Sequence, residues 1–74
     1  MTKEEFMVEM QEVLQTETEL NADTVLADLD EWDSLSIMAT MAFLDKNFGV
    51  KMKLADFKGV DTLGALMSRL DLKD

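Results

Sequence analysis

The chain has 74 residues, 47% of them hydrophobic, a formal net charge of −9 at pH 7, and neither cysteine nor histidine. That length admits one small domain, residues 1–74, with a modest core and no room for a deep catalytic cleft. Missing cysteine excludes disulfides, thiol nucleophiles and thiolate metal sites; missing histidine removes the usual base near neutral pH and the commonest metal ligand. The acidity disfavours nucleic acid and anionic membrane surfaces and favours partners with basic patches.

The hydrophobic content is that of a folded chain. No apolar run approaches the roughly 18 residues of a membrane span, so no membrane insertion is expected. The opening Met1-Thr2-Lys3-Glu4-Glu5 is too acidic for a signal or transit peptide, which makes the cytoplasm the expected compartment. Proline is absent, glycine occurs three times, and strand-like alternation is nearly absent. The chain therefore reads as all-α.

A first helix is predicted from Thr2, because Thr2-Lys3-Glu4-Glu5 has capping-box spacing. Phe6, Met10, Val13 and Leu14 give it one apolar stripe, which fades near Glu17. Residues 18 to about 33 form a long connection, a length uncommon in compact domains and often functional. Its Leu20, Val25, Leu26 and Leu29 are expected to fold back onto the core, with one helical turn near Asn21–Thr24.

A second helix is predicted from Ser34 to Phe48, with Gly49 as a left-handed stop. Ile37, Met41, Leu44 and Phe48 fall on one stripe, the expected core face. A second apolar strip, Leu35, Met38, Ala39 and Ala42, lies beside Asp45 and Lys46 and roughly opposite Ser36 and Thr40. A helix apolar on two faces is either deeply buried or a docking surface. Val50, Met52 and Leu54 lead into a short helical turn around Ala55–Lys58, ended by Gly59. A last helix starts near Asp61 or Thr62, with Leu63, Leu66, Met67 and Leu70 as its stripe. The expected architecture is a small four-helix bundle, three main helices and one short one, with a long loop between helices one and two.

No acid–base or metal constellation is visible, so no catalytic residue is assigned and no enzymatic activity is expected. Asp28, Asp30 and Asp33 have part of the spacing of a calcium loop. Trp32 stands at its fifth place, glycine is missing at the sixth, and Ala39 stands where a bidentate glutamate belongs; no metal site is assigned.

The segment that carries chemistry is Asp30-Glu31-Trp32-Asp33-Ser34-Leu35, which closes the long loop and opens the most apolar helix. Read locally, Ser34 is an ordinary first-turn residue and Asp33 a helix cap. The chain as a whole, however, resembles the acyl carrier protein family. The resemblance rests on Asp33-Ser34-Leu35 at the start of the second helix, Phe48-Gly49-Val50 at its close, Val60-Asp61-Thr62-Leu63 entering the last helix, and the length, acidity and helix order. It implies that Ser34 receives 4′-phosphopantetheine from coenzyme A through a phosphopantetheinyl transferase. The thiol of that arm would carry an acyl or aminoacyl group as a thioester, supplying the sulfur this cysteine-free chain lacks. Asp33 would help engage the transferase. Leu35, Met38, Ala39, Ala42 and Asp45 would meet loading ligases and acyltransferases bearing basic patches. The protein is expected to be a monomer.

The chain departs from the family pattern at three places. Glu31, followed by Trp32, stands where many members have glycine three residues before the serine. Ala39 stands where a glutamate is common, and Lys46 replaces another common acid. A docking face this poor in acids points to a specialised pathway instead of general fatty-acid synthesis. Trp32 is expected to cover the top of the core or to join the docking surface, and the abundant methionines suit either plain core packing or a core that opens between helices to admit an acyl chain, so no chain pocket is assigned. The contrasting reading is an unmodified interaction module that binds through Leu35, Met38 and Ala42.

Overall fold

The computed structural model describes residues 1–73. Helix α1 spans Lys3–Leu14 and begins with a full capping box: Thr2 Oγ1 accepts from the Glu5 N–H at 3.1 Å, and Glu5 Oε1 accepts from the Thr2 N–H at 3.0 Å. Phe6, Met10 and Leu14 form its buried stripe, with Val13 half-buried beside them. Gln15 stops the helix in the left-handed conformation, and the Thr16 N–H reaches back to the Gln11 carbonyl at 3.1 Å.

The long connection is tied down by backbone bonds to the start of the last helix. The Leu26 N–H donates to Asp61 O at 3.0 Å, Leu63 N–H to Thr24 O at 2.9 Å, and Gly64 N–H to Ala22 O at 2.9 Å. This short extended pairing alternates side chains in and out. Leu26 is therefore buried, whereas Val25 points to solvent, contrary to the expectation that it packs on the core. Leu20 is buried and Leu29 half-buried, as expected. The short helix in this loop is a 3₁₀ turn at Leu26–Asp28; residues 21–24 make a tight turn held by the Thr24 N–H to Asn21 O at 3.1 Å.

Helix α2 spans Ser34–Phe48, the predicted bounds, and Gly49 ends it at φ 67°. All four residues of the predicted core face, Ile37, Met41, Leu44 and Phe48, pack on the core, but the face also takes in two hydroxyls. The buried positions are Ser36, Thr40 and Leu44, with Ile37, Met41, Phe43 and Phe48 half-buried on either side. The two hydroxyls can face the core because each is satisfied on its own helix: Thr40 Oγ1 donates to Ser36 O at 2.9 Å, and Ser36 Oγ donates to Asp33 O at 3.0 Å. The rings of Phe6, Phe43 and Phe48 meet with centroids 5.9–6.2 Å apart.

A 3₁₀ turn over Leu54–Gly59 follows, with Phe57 buried and Leu54 exposed. Helix α3 is only Leu63–Met67, capped by Thr62, whose Oγ1 accepts from the Ala65 N–H at 3.1 Å. The apolar stripe runs on to the half-buried Leu70, but the regular helix stops at Met67, so α3 is shorter than its periodicity predicts. The all-α bundle thus consists of two long helices and three short ones. The radius of gyration, 11.0 Å, matches the value of about 11 Å for a compact chain of this length, so the long loop lies against the bundle. Among the described residues no buried side-chain nitrogen or oxygen lacks a partner, and no helix is long and apolar enough to cross a membrane.

Candidate functional site

Two serines two residues apart have opposite fates. Asp33 takes the extended conformation of an N-cap, φ −136° and ψ −178°. Its Oδ1 accepts from the Ser36 N–H at 2.9 Å, and Ser36 Oγ accepts from the Asp33 N–H at 2.9 Å. The cap is therefore closed between Asp33 and Ser36. Ser34, at the first position of α2, is exposed, and its hydroxyl makes no hydrogen bond among the described residues. Serine replaces the glutamate or glutamine usual at the fourth place of a capping box, so the spacing alone did not separate the capping serine from the exposed one.

The approach to Ser34 is anchored. The Trp32 N–H donates to Leu29 O at 3.0 Å, and the indole packs on Phe57 with ring centroids 6.0 Å apart. Trp32 is half-buried against the core and belongs to the scaffold of the site.

Downstream, the outward face of α2 presents the predicted strip. Leu35 is 77% exposed and Met38 63%, and Ala39, Ala42 and Asp45 are also at the surface. At 100° per residue these side chains and Ser34 share one arc, with Lys46 inside it. Burial thus brings together Ser34, Leu35, Met38, Ala39, Ala42 and Asp45 on one helix face and places Asp33 at its head.

Beside this face lies a cleft of ≈300 Å³ between the end of α1 and the start of α2, bounded by Val13 and Gln15 on one side and Glu31, Leu35 and Ala39 on the other. The sequence pattern held no sign of it, because it depends on how the two helices abut.

The site suits a phosphodiester anchored on Ser34. The hydroxyl is uncommitted, and the N–H groups of Ser34 and Leu35 in the first turn have no carbonyl partner. They lie at the positive end of a 15-residue helix, where an anion is favoured.

Ser34, exposed and unbonded, thus opens the most apolar helix of a small all-α bundle. The sequence profile of the phosphopantetheine attachment site family matches residues 4–70, nearly the whole chain. The chain belongs to that family, whose members carry a covalently attached 4′-phosphopantetheine, and it is a phosphopantetheine-carrying carrier protein. No individual curated protein and no solved structure matches the chain.

Proposed function

We propose that Ser34 is the attachment residue and that the protein carries an acyl or aminoacyl group as a thioester without catalysing a reaction on it. The observation that carries this reading is the division of labour between Asp33–Ser36, which cap α2, and Ser34, which is left free. In the attachment step the Ser34 hydroxyl oxygen bonds to the phosphorus of coenzyme A that bears pantetheine. The phosphoanhydride bond breaks, adenosine bisphosphate leaves, and the hydroxyl proton passes to a base of the transferase. Once bound, the arm supplies a terminal thiol that forms the thioester.

The remaining roles belong to this chain's own side chains. Asp33 fixes the first turn and offers its second carboxylate oxygen to the transferase. Leu35, Met38, Ala39 and Ala42 form an apolar docking strip for the loading ligase and acyltransferases, with Asp45 as its acidic contact. The strip mixes Asp45 with Lys46, which supports partners other than enzymes built for a uniformly acidic helix. The domain is proposed to act as a cytoplasmic monomer.

Intact mass after co-expression with a broad-specificity phosphopantetheinyl transferase tests this reading. A gain of one phosphopantetheine on wild type and none on Ser34→Ala is expected. The exposure of Leu35 and Met38 also suits an unmodified interaction module. A folded wild type that gains no mass would favour that second reading.

A further inference from the structure

Charge is unevenly spread over this acidic chain. Between Asp45 and Asp61 lie four lysines and a single acid, a net charge of +3; the rest of the chain holds three cations and fifteen acids, a net charge of −12. The single acid, Asp56, is engaged by the fold: its Oδ2 accepts from the Lys53 N–H at 2.8 Å at the entry to the Leu54–Gly59 turn. Lys46 has a structural reason for its place, because a cation in the last turn of α2 offsets the helix dipole. Lys51, Lys53 and Lys58 have none. They are exposed and make no ion pair among the described residues.

The fold gathers these three. Lys53 is extended, at φ −97° and ψ 160°, and the Met52 before it is buried. Lys51 and Lys53 flank that buried side chain, and the alternation of an extended segment sends both outward. Five steps of 3₁₀ turn then put Lys58 about 10 Å from Lys53 along the backbone. A Cβ on Gly59 would lie 3.9 Å from Arg69 Nη2, which brings a fourth cation beside Lys58. Between Lys53 and Lys58, Leu54 is 54% exposed and Ala55 is also at the surface. An apolar centre with a polar rim is the anatomy of a protein interface. The patch lies close to the site as well: Phe57, on the same turn, packs on Trp32, two residues before Ser34.

Charge complementarity narrows what covers it. Nucleic acid and anionic membranes are negative over their whole extent, so they would meet the chain's many other acids along with this patch. A folded protein can be acidic only where it meets the turn. Screening beyond about 8 Å at 0.15 M salt lets the patch act apart from distant acids. We infer that Lys51, Lys53, Leu54 and Lys58 dock an acidic patch on a partner protein. The inference rests on the carrier reading only in taking that partner to be an enzyme that serves the arm. It reverses locally the sign expected from the net charge: where the partner meets this turn it carries carboxylates.

The probe is a capped octapeptide of glutamates with one central phenylalanine, followed in ¹H–¹⁵N spectra of the protein. It is expected to shift Lys51, Lys53, Leu54 and Lys58 at about 0.15 M salt and to lose that effect near 1 M. Lys51→Gln, Lys53→Gln and Lys58→Gln combined should bind it about ten-fold more weakly, the loss of three exposed ion pairs, while melting within a few degrees of wild type. Lys3→Gln with Lys73→Gln, which lowers the net charge away from the patch, should bind within about two-fold of wild type. No shifts, shifts centred elsewhere, or equal weakening by both sets of substitutions would overturn the inference. Sedimentation of wild type with phosphatidylglycerol vesicles, lost in the triple variant, would overturn it in favour of a membrane. Shifts of the same residues on concentrating the protein alone would overturn it in favour of a second copy. Intact mass after transferase treatment tests the carrier reading separately: a wild type that gains no arm removes that reading and leaves the peptide result standing.

Discussion

Replacing Ser36 and Ser34 in turn by alanine separates structure from function over a span of two residues. Ser36→Ala removes the acceptor of the Asp33 N–H and the donor to Asp33 O, bonds of 2.9 and 3.0 Å at a buried side chain. Half of the capping box is lost and a part-buried amide is left unpaired, which costs about 1–2 kcal/mol. For a domain of this size that lowers the melting temperature by roughly 5–15 °C. Ser34→Ala removes a hydroxyl with no partner in the fold and substitutes a better helix former, so its stability should stay within about 0.5 kcal/mol of wild type. Thermal or urea unfolding of the two variants measures the contrast. Intact mass completes it: Ser36→Ala still gains the arm below its melting temperature, and Ser34→Ala gains nothing. If Ser34→Ala unfolds as early as Ser36→Ala, the Ser34 hydroxyl is structural and the reasoning that singles it out fails.

Two glycine substitutions should fail for different reasons. A Cβ on Gly64 would sit 2.8 Å from the Ala22 carbonyl oxygen, so Gly64→Ala is expected to cost about 1–3 kcal/mol by prying the loop from α3, read as a lower urea midpoint. Gly49→Ala meets no atom within 4 Å and pays only for its φ of 67°, about 1–2 kcal/mol, most of which Gly49→Asn should recover; equal losses for alanine and asparagine would contradict this. Thr40→Val removes a fully buried hydroxyl that bonds only its own helix, so stability should change by less than about 1 kcal/mol; a larger loss would show that the hydroxyl fixes α2 in place. The Thr2 backbone N–H, and after it the Thr2 side chain, hold the Glu5 carboxyl below its ordinary pKa. Its contribution is therefore present above the unfolded-state pKa and disappears as pH falls through the lower folded value. Glu5→Gln keeps the acceptor but not the titration, so its stability should vary less with pH across that acid window; identical acid unfolding curves would refute the assignment.

The elements legible in the sequence were those set by local chemistry. Thr2 and Glu5, Asp33 ahead of Ser34, Gly49, and Thr62 each carry a capping rule that acts within four residues, and the start of α1 and both ends of α2 fell where those rules put them, whereas α1 stops at Leu14, before its expected fading near Glu17. Leu35, Met38, Ala39 and Ala42 were legible as one apolar strip, but whether it is buried or a docking surface stayed open until the structure turned it outward. The predicted core stripe of α2 packs on the core, but the burial of Ser36 and Thr40 beside it was not foreseen. Ser36 and Thr40 bond back to their own helix end and turn, so their hydroxyls can be buried. Val25 turned outward because the loop pairs with the entry to α3 as a short extended segment, a long-range contact with no local signature. The cleft between α1 and α2 was hidden for the same reason.

The pairing of the chain ends has a practical consequence. The Lys3 N–H bonds to Lys73 O at 2.8 Å and the Lys73 N–H to Met1 O at 3.2 Å, so residues 1–3 and 73 leave the bundle side by side. They do so at the start of α1, whereas Ser34 neighbours its far end, about 18 Å away along a 12-residue helix. A fluorophore, affinity handle or surface tether fused at either end would sit at the foot of the molecule, leaving the working end facing outward. Immobilised protein should therefore keep Ser34 facing outward, with the same orientation whichever end is fixed.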